Sequence, residues 1–122
     1  MSAQNGRQPI KFVGRALDEL RDFPDEAKQR AGHHIDLVQV GETPPGSKPM
    51  PEVGRGCREI CVEANDGWFR VFYVAKFGDA VWVLHCFQKK SNKTPQGAIE
   101  TGSSRYKDAV AEFEASEKPK GR

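Results

Sequence analysis

The sequence predicts an α+β domain, in which a helical hairpin and a C-terminal helix pack on a small, mainly antiparallel β-sheet. Three observations support this fold class. Apolar residues recur at helical spacing over residues 14–41, where Pro24 interrupts them. Three β-prone segments then follow between residues 58 and 87, separated by turns short enough for hairpins. Helical spacing returns after Pro95.

The N-terminal part is expected to form a short strand followed by two helices. Residues 9–13 (PIKFV) are apolar and β-prone, which predicts the strand. Pro24 ends the first helix, because the residue before a proline is disfavoured in the α region, and a proline fits the first turn of the next helix. The apolar stripes of the two helices are Ala16, Leu17, Leu20 and Phe23, then Ala27, Ala31, Ile35 and Val38.

The remaining chain is expected to contribute a loop, three strands and a last helix. Residues 41–51 hold four prolines and two glycines, which predicts a loop. The predicted strands are residues 58–63, 68–76 and 80–87, and the third is expected to be central because it is the most apolar. We expect the helices on one face of the sheet and a site on the other. The last helix is indicated by Ile99, Gly102, Tyr106, Val110 and Phe113.

The length and composition limit the class of protein. A chain of 122 residues is enough for one domain; we expect it to span residues 9–114, between a disordered N-terminus (1–8) and a flexible tail (115–122). No apolar run approaches the roughly 18 residues of a membrane span, and residues 1–12 lack the apolar core of a signal peptide. We therefore expect a cytoplasmic protein with no membrane partner. Three cysteines, an odd number, argue against a disulfide scaffold.

The charge is unevenly distributed although the net value is only +2. Residues 87–107 hold five cations and one carboxylate, whereas residues 15–28 hold three cations and five carboxylates. A basic cluster next to aromatic residues is typical of a surface that binds a phosphate backbone. The alternative is an ordinary solvated face.

No metal site is expected, because Cys57 and Cys61 would lie roughly 13 Å apart on a strand.

Three segments together resemble a known family: GRALDELRDFP (14–24), GCREICVEANDGWFRVFYVAKFGDAVWVLHCFQKKSNKTP (56–95) and SSRYKDAV (103–110). They are similar to the RelE/HigB-type toxins of type II toxin–antitoxin systems, in the phage-derived HigB-like branch of the RelE superfamily. The resemblance implies a RelE-like fold and an endoribonuclease that cuts mRNA, commonly on the ribosome. It also implies a cognate helix-turn-helix antitoxin as partner.

The resemblance also implies the site residues. Arg70 falls where the family uses an arginine to stabilise the scissile phosphate, and Lys89 with Lys90 falls where it places a second basic group. Glu59 on the preceding strand is the candidate base. Because RNA supplies its own 2′-hydroxyl nucleophile, this chemistry needs no metal or cofactor. Further RNA contacts are expected from Arg55, Arg58, Trp68, Tyr73, Phe87 and Lys93.

One residue departs from the family pattern. Close relatives carry Glu-Ile-Arg where this chain has Glu59-Ile60-Cys61, and Arg58 cannot substitute because its odd offset points it to the opposite face. Three hypotheses follow: an RNA-cleaving toxin, a RelE-like module that binds RNA, ribosome or antitoxin but is weakened in catalysis, and a phage protein with no nucleic-acid role. Structural roles stay open for individual residues: Arg70 paired with Glu59, Tyr73 in the core, and His85 as a partly buried, hydrogen-bonded residue.

Overall fold

The computed structural model describes residues 7–117 and shows an α+β fold built on a five-stranded sheet. None of the helices in that range has the length and apolarity needed to cross a membrane. The strands are β1 (Ile10–Phe12), β2 (Lys48–Pro49), β3 (Cys57–Ala64), β4 (Gly67–Val74) and β5 (Val81–Lys89), and the helices are α1 (Ala16–Arg21), α2 (Asp25–Gln39) and α3 (Gln96–Glu117).

The strand order in the sheet is β1-β5-β4-β3-β2. The hairpins β3–β4 and β4–β5 are antiparallel, as predicted, and β1 adds to β5 in parallel, with Ile10 opposite Val81. The prediction that the third hairpin strand is central was wrong: β4 is central, and β5 lies between β4 and β1. β5 is nevertheless apolar because both of its edges are paired and both of its faces are covered.

Helices cover both faces of the sheet, and the prediction of one covered face was wrong. One core layer joins α1 and α2 to the face that carries Val71 and Val83. The other layer joins α3 to the face that carries Phe72 and Leu84. Gly102 lets α3 approach closely, since a Cβ atom at this position would lie 2.7 Å from Cδ2 of Phe72. Within residues 7–117, the part of this second face beyond the N-terminal end of α3 is left for a site.

The helical hairpin has the predicted form. Pro24 precedes α2 directly, and the α2 stripe of Ala27, Ala31, Ile35 and Val38 is buried.

Gly67, in the β3–β4 turn, has a φ of 131°, which a residue with a side chain would rarely adopt.

The boundaries differ from the expectations at three places. The proline-rich loop contains β2, which pairs with β3. The last helix continues to Glu117, three residues into the expected tail, while residues 118–122 lie outside the described range. At the N-terminus, Gln8 exchanges hydrogen bonds with Gln39 of α2, and residues 1–6 lie outside the described range.

Candidate functional site

The strand register brings the predicted site residues to one face of the sheet, the face that α3 partly covers. Cys61, Arg70 and Phe87 lie directly opposite one another on β3, β4 and β5. The next row on the same face contains Trp68 opposite Lys89. Residues that lie opposite in a sheet project to the same side. The pairing therefore places Arg70 and Lys89 next to each other, two residues apart along the strands.

Glu59, Arg70 and Lys89 form a buried charged cluster on this face. Glu59 is completely buried, and the exposed fractions of Arg70 and Lys89 are only 8% and 4%. The Nε atom of Arg70 lies 3.9 Å from Oε2 of Glu59, which is an ion pair but is too long for a hydrogen bond. The Nη1 atom of Arg70 donates to the carbonyl of Phe69 at 3.0 Å. Arg70 is therefore held in place by its own strand as well as by the carboxylate.

Two residues outside the long strands complete the cluster, and no sequence pattern pointed to either of them. Lys48 of β2 places its Nζ 4.0 Å from Oε1 of Glu59. Thr94, in the segment between β5 and α3, donates its hydroxyl to Oε2 of Glu59 at 3.2 Å. In the same segment, the carbonyl of Asn92 accepts a hydrogen bond from Nζ of Lys89 at 2.8 Å. Lys48 and Thr94 lie in segments without periodicity, so no sequence pattern predicted their position.

The cluster holds more positive than negative charge. Three cations, Lys48, Arg70 and Lys89, face the single carboxylate of Glu59. Burial lowers the pKa of Lys89, and the nearby Arg70 charge lowers it further. Oε1 of Glu59 and Nε of Arg70 are both buried and have no hydrogen-bond partner within residues 7–117. Two of these three cations, Arg70 and Lys89, are buried, and such an excess of positive charge favours the binding of an anion.

Two of the residues expected to contact RNA lie on the opposite face. Arg58 and Tyr73 are paired with each other across β3 and β4, on the side of α1 and α2. Arg58 donates to the carbonyl and hydroxyl of Ser47 at 3.1 Å. Tyr73 is 4% exposed, and burial raises its pKa. The odd offset of Arg58 from Cys61 correctly predicted that Arg58 projects to the face opposite Cys61. Tyr73 packs in the core on that same face.

The other expected RNA contacts surround the charged cluster or lie away from it. Trp68 is 39% exposed, and Phe87, directly opposite Arg70, is half-buried and stacked on His85. Lys90 and Lys93 are exposed in the segment that follows β5. Arg55 is exposed in the loop before β3, and its carbonyl accepts a hydrogen bond from Tyr106 of α3.

Cys61 lies directly opposite Arg70, where the family pattern expects an arginine. The side chain is half-buried, and its pKa is raised by burial, although the Arg70 charge acts in the opposite direction. The thiol is therefore neutral at pH 7 and adds no charge to the cluster.

His85 belongs to a separate network that joins α1, β5 and α3. Oε1 of Glu19 lies 2.9 Å from Nδ1 of His85 and accepts hydrogen bonds from Arg105 at 2.9 Å and from the backbone of Cys86 at 3.1 Å. Arg105 also donates to the carbonyl of Leu84. Among the described residues, no three His, Cys, Asp or Glu side chains are grouped closely enough to hold a metal ion.

Comparison with known proteins identifies the family and the fold. The model of the family "Phage derived protein Gp49-like (DUF891)" matches residues 18–107, about three quarters of the chain. No curated protein matches the sequence.

Among solved structures, an arginine-to-alanine double mutant of the Escherichia coli toxin RelE in the free state matches with a TM-score of 0.59 and 16% identity, covering 84% of this chain and 97% of RelE. The toxin–antitoxin complex RelBE2 of Mycobacterium tuberculosis matches with a TM-score of 0.52 and 14% identity, over 70% of this chain and 94% of the matched chain. The isolated E. coli RelE toxin gives a TM-score of 0.50 at 16% identity, with 87% and 98% covered. The predicted RelE-like fold is confirmed, and the chain belongs to the phage-derived Gp49-like family.

Proposed function

We propose that this protein is the toxin of a type II toxin–antitoxin pair and that it cuts mRNA on the ribosome. The observation that supports the proposal best is the pair of buried cations, Arg70 and Lys89, near a single buried carboxylate that forms an ion pair with Arg70. A scissile phosphate would supply the missing negative charge. The RelE-like fold supports the same function, since the matched structures are described as toxins.

In the proposed mechanism the RNA itself supplies the nucleophile. The 2′-oxygen forms a bond to phosphorus while the bond from phosphorus to the 5′-oxygen breaks, leaving a 2′,3′-cyclic phosphate and a 5′-hydroxyl. The proton of the 2′-hydroxyl passes to water. Arg70 donates two parallel hydrogen bonds to the phosphate oxygens, which is the geometry that a guanidinium favours. The ammonium of Lys89 gives a proton to the leaving 5′-oxygen, and its lowered pKa makes it a better acid than an exposed lysine.

Other residues position the reacting groups or hold the strand. Glu59 has no exposed surface, so we assign it a positioning role behind Arg70 instead of direct contact with the 2′-hydroxyl. Trp68 and Phe87 stack on bases that are splayed out of the strand. Lys90 and Lys93 contact the phosphate backbone.

Expression of the chain in a bacterium, followed by mapping of mRNA 5′ ends, tests this function. The wild type should arrest growth and create new 5′-hydroxyl ends in translated mRNA. Arg70→Ala should lower cleavage about 100- to 1,000-fold, the usual effect of removing one donor that stabilises the transition state. The matched control is Arg58→Ala, an arginine on the neighbouring strand that projects to the opposite face and should leave cleavage intact.

The results separate the alternatives. Purified RNA with and without ribosomes should show whether cleavage needs the ribosome. Equal cleavage by the wild type and Arg70→Ala would refute the assignment of the site, and absence of new ends would refute the nuclease. A cognate helix-turn-helix antitoxin should restore growth when it is co-expressed, and it should copurify with the toxin as a stable complex.

A second candidate function is a RelE-like binding module that has lost most of its catalysis. The observation that favours it is the neutral Cys61 thiol opposite Arg70, which removes one positive charge from the face where RNA would bind. This module would bind RNA, ribosomes or antitoxin without new mRNA ends. Binding without cleavage, together with cleavage by Cys61→Arg, would establish it.

A further inference from the structure

A groove of about 440 Å³ crosses the outer edge of β3 and joins Arg70 to helix α2. Arg70 and Cys61 line the groove from the α3 side of the sheet, whereas Arg30 and His34 line it from α2, on the opposite side. Glu63, near the end of β3, lies along its wall. We refer to this feature as the edge groove. Because it touches residues from both faces, it must pass around the edge of the sheet.

The groove exists because the edge of the sheet is open at this place. β2 is only two residues long and pairs with Arg58 and Glu59 alone. β3 continues to Ala64, and within residues 7–117 no strand pairs with its outer edge beyond Glu59. In the other direction α3 covers the face from Phe72 onward. A polymer held at Arg70 therefore has a free path over the edge of β3, whereas α3 closes the path along β4.

The α2 end of the groove has the chemistry to recognise a nucleotide. Arg30 and His34 are four residues apart, so they lie on one side of α2. Arg30 is more than half exposed and makes an ion pair of 3.2 Å with Glu26. The Nδ1 atom of His34 is buried without a hydrogen-bond partner among the described residues. Burial lowers the pKa of His34, and the nearby His33 and Arg30 charges lower it further, so the ring is neutral at pH 7. A neutral imidazole can both donate and accept a hydrogen bond.

We propose that the edge groove binds the ribonucleotide next to the scissile phosphate, with Arg30 on its backbone and His34 on its base. The proposal rests on the proposed RNA function of Arg70. Two arginines and one carboxylate line the groove, which favours an anionic ligand. Its volume falls within the range of about 300–1,000 Å³ found for sites that enclose small ligands. A neutral histidine face and its polar edge can stack on a base or hydrogen-bond to it.

Binding of a non-cleavable RNA tests the proposal without relying on catalysis. A fluorescent RNA oligonucleotide with every 2′-hydroxyl methylated is titrated into the wild type, Arg30→Ala, His34→Ala and the double variant. We expect each single variant to raise Kd about 10-fold. Arg30→Ala should also reduce the slope of log Kd against log salt by about 1, because one phosphate contact is lost, whereas His34→Ala should leave that slope unchanged.

Matched controls separate binding from folding. Lys28→Ala removes another cation of α2 that is also in an ion pair, and His33→Ala removes the exposed neighbour of His34; neither residue lines the groove, and neither change should alter Kd. Glu26→Gln breaks the ion pair of Arg30 but keeps the cation, so it should leave affinity unchanged or increase it. Thermal unfolding of every variant checks that the fold is intact.

The outcomes distinguish this proposal from the function on which it rests. If the wild type binds no RNA, the edge groove proposal is overturned, whereas the proposed function is decided separately by the mapping of mRNA 5′ ends. If Arg70→Ala weakens binding while the Arg30 and His34 variants bind like the wild type, the edge groove proposal is overturned and the proposed function stands. If Glu26→Gln weakens binding as much as Arg30→Ala, the effect is structural and the proposal is also overturned.

Discussion

Replacement of Glu59 by glutamine should lower the stability of the protein and strengthen its binding of anions. The substitution keeps the shape of the side chain and an oxygen that accepts the hydrogen bond from Thr94. It removes the carboxylate that forms ion pairs with both Arg70 and Lys48. The same loss of negative charge therefore lowers the stability of the fold and raises its affinity for anions.

The size of the stability loss follows from the ion-pair distances. At 3.9 Å, the pair of Arg70 with Glu59 corresponds to about 4 kcal/mol in an effective dielectric constant of about 20. The pair with Lys48 contributes under about 1 kcal/mol, because the lysine is more than half exposed and is screened by solvent. Relief of the desolvation of Glu59 offsets part of this sum. We expect a net loss of about 2–3 kcal/mol, which is about 8–12 °C in Tm for a domain of this size.

Thermal unfolding in buffers with increasing inorganic phosphate measures both effects. Without phosphate, Glu59→Gln should melt at the lower temperature. Added phosphate should stabilise the variant more than the wild type, since the stabilisation by a ligand that binds the folded state grows with the logarithm of its affinity. Glu63→Gln is the matched control: this carboxylate is exposed on the same face of β3 and should change stability by less than about 0.5 kcal/mol. An unchanged Tm for Glu59→Gln, or weaker stabilisation by phosphate, would refute the charge balance assigned to the cluster.

Three further predictions concern other parts of the molecule. Burial raises the pKa of Glu19, but its hydrogen bonds, first that from Arg105, outweigh this effect, and the pKa is lowered overall. The stability that the ionised Glu19 supplies should therefore be complete above the ordinary pKa of 4.5 and should fall at lower pH. Denaturant titrations should show Glu19→Gln less stable at neutral pH and converging with the wild type in acid. Gly102→Ala should cost about 1–3 kcal/mol by pressing a methyl group into Phe72, as measured by the same titrations. Cys61→Arg should tighten the binding of the methylated RNA and increase its salt slope by about 1.

Each of these predictions has a result that contradicts it. Parallel stability curves for Glu19→Gln and the wild type down to pH 3 would show that the network does not depend on the carboxylate charge. A Gly102→Ala protein as stable as the wild type would mean that α3 moves away from Phe72 at no cost. A Cys61→Arg protein with unchanged affinity and salt slope would place RNA away from the Arg70 row.

The fold was predictable to the extent that it depends on local patterns. A period of two over β3 and β4 placed Cys61 and Arg58 on opposite faces, and the structure confirms this separation. Pro24 marked the junction of α1 and α2 correctly. The order of the strands depends instead on pairing between distant segments. The apolar composition of β5 does not show whether it is the middle strand or is flanked on one edge by the short parallel strand β1.

The strand pattern predicted that Arg70 and Lys89 would lie close together, but it did not predict that Tyr73 lies in the core on the other face. Arg70 and Lys89 meet because register aligns Trp68 with Lys89. Lys48 and Thr94 reach the same carboxylate through a proline-rich loop and the segment before α3, where no periodic signal exists. Glu59 shows a different limit. Its complete burial depends on those same loops, and this burial is the reason why we propose a positioning role for Glu59 instead of the predicted role of base.

The parallel pairing of β1 with β5 has a consequence for the folding kinetics. Ile10 and Val81 are neighbours in space but are separated by most of the domain in sequence, whereas β3, β4 and β5 are joined by short connections (65–66 and 75–80). Closing so long a loop is entropically unfavourable until the rest of the sheet exists to receive the strand. The meander is therefore the natural nucleus, and docking of the three-residue β1 comes late. The same strand should open first, so backbone amides at its junction with β5 should exchange with deuterium sooner than those between β4 and β5.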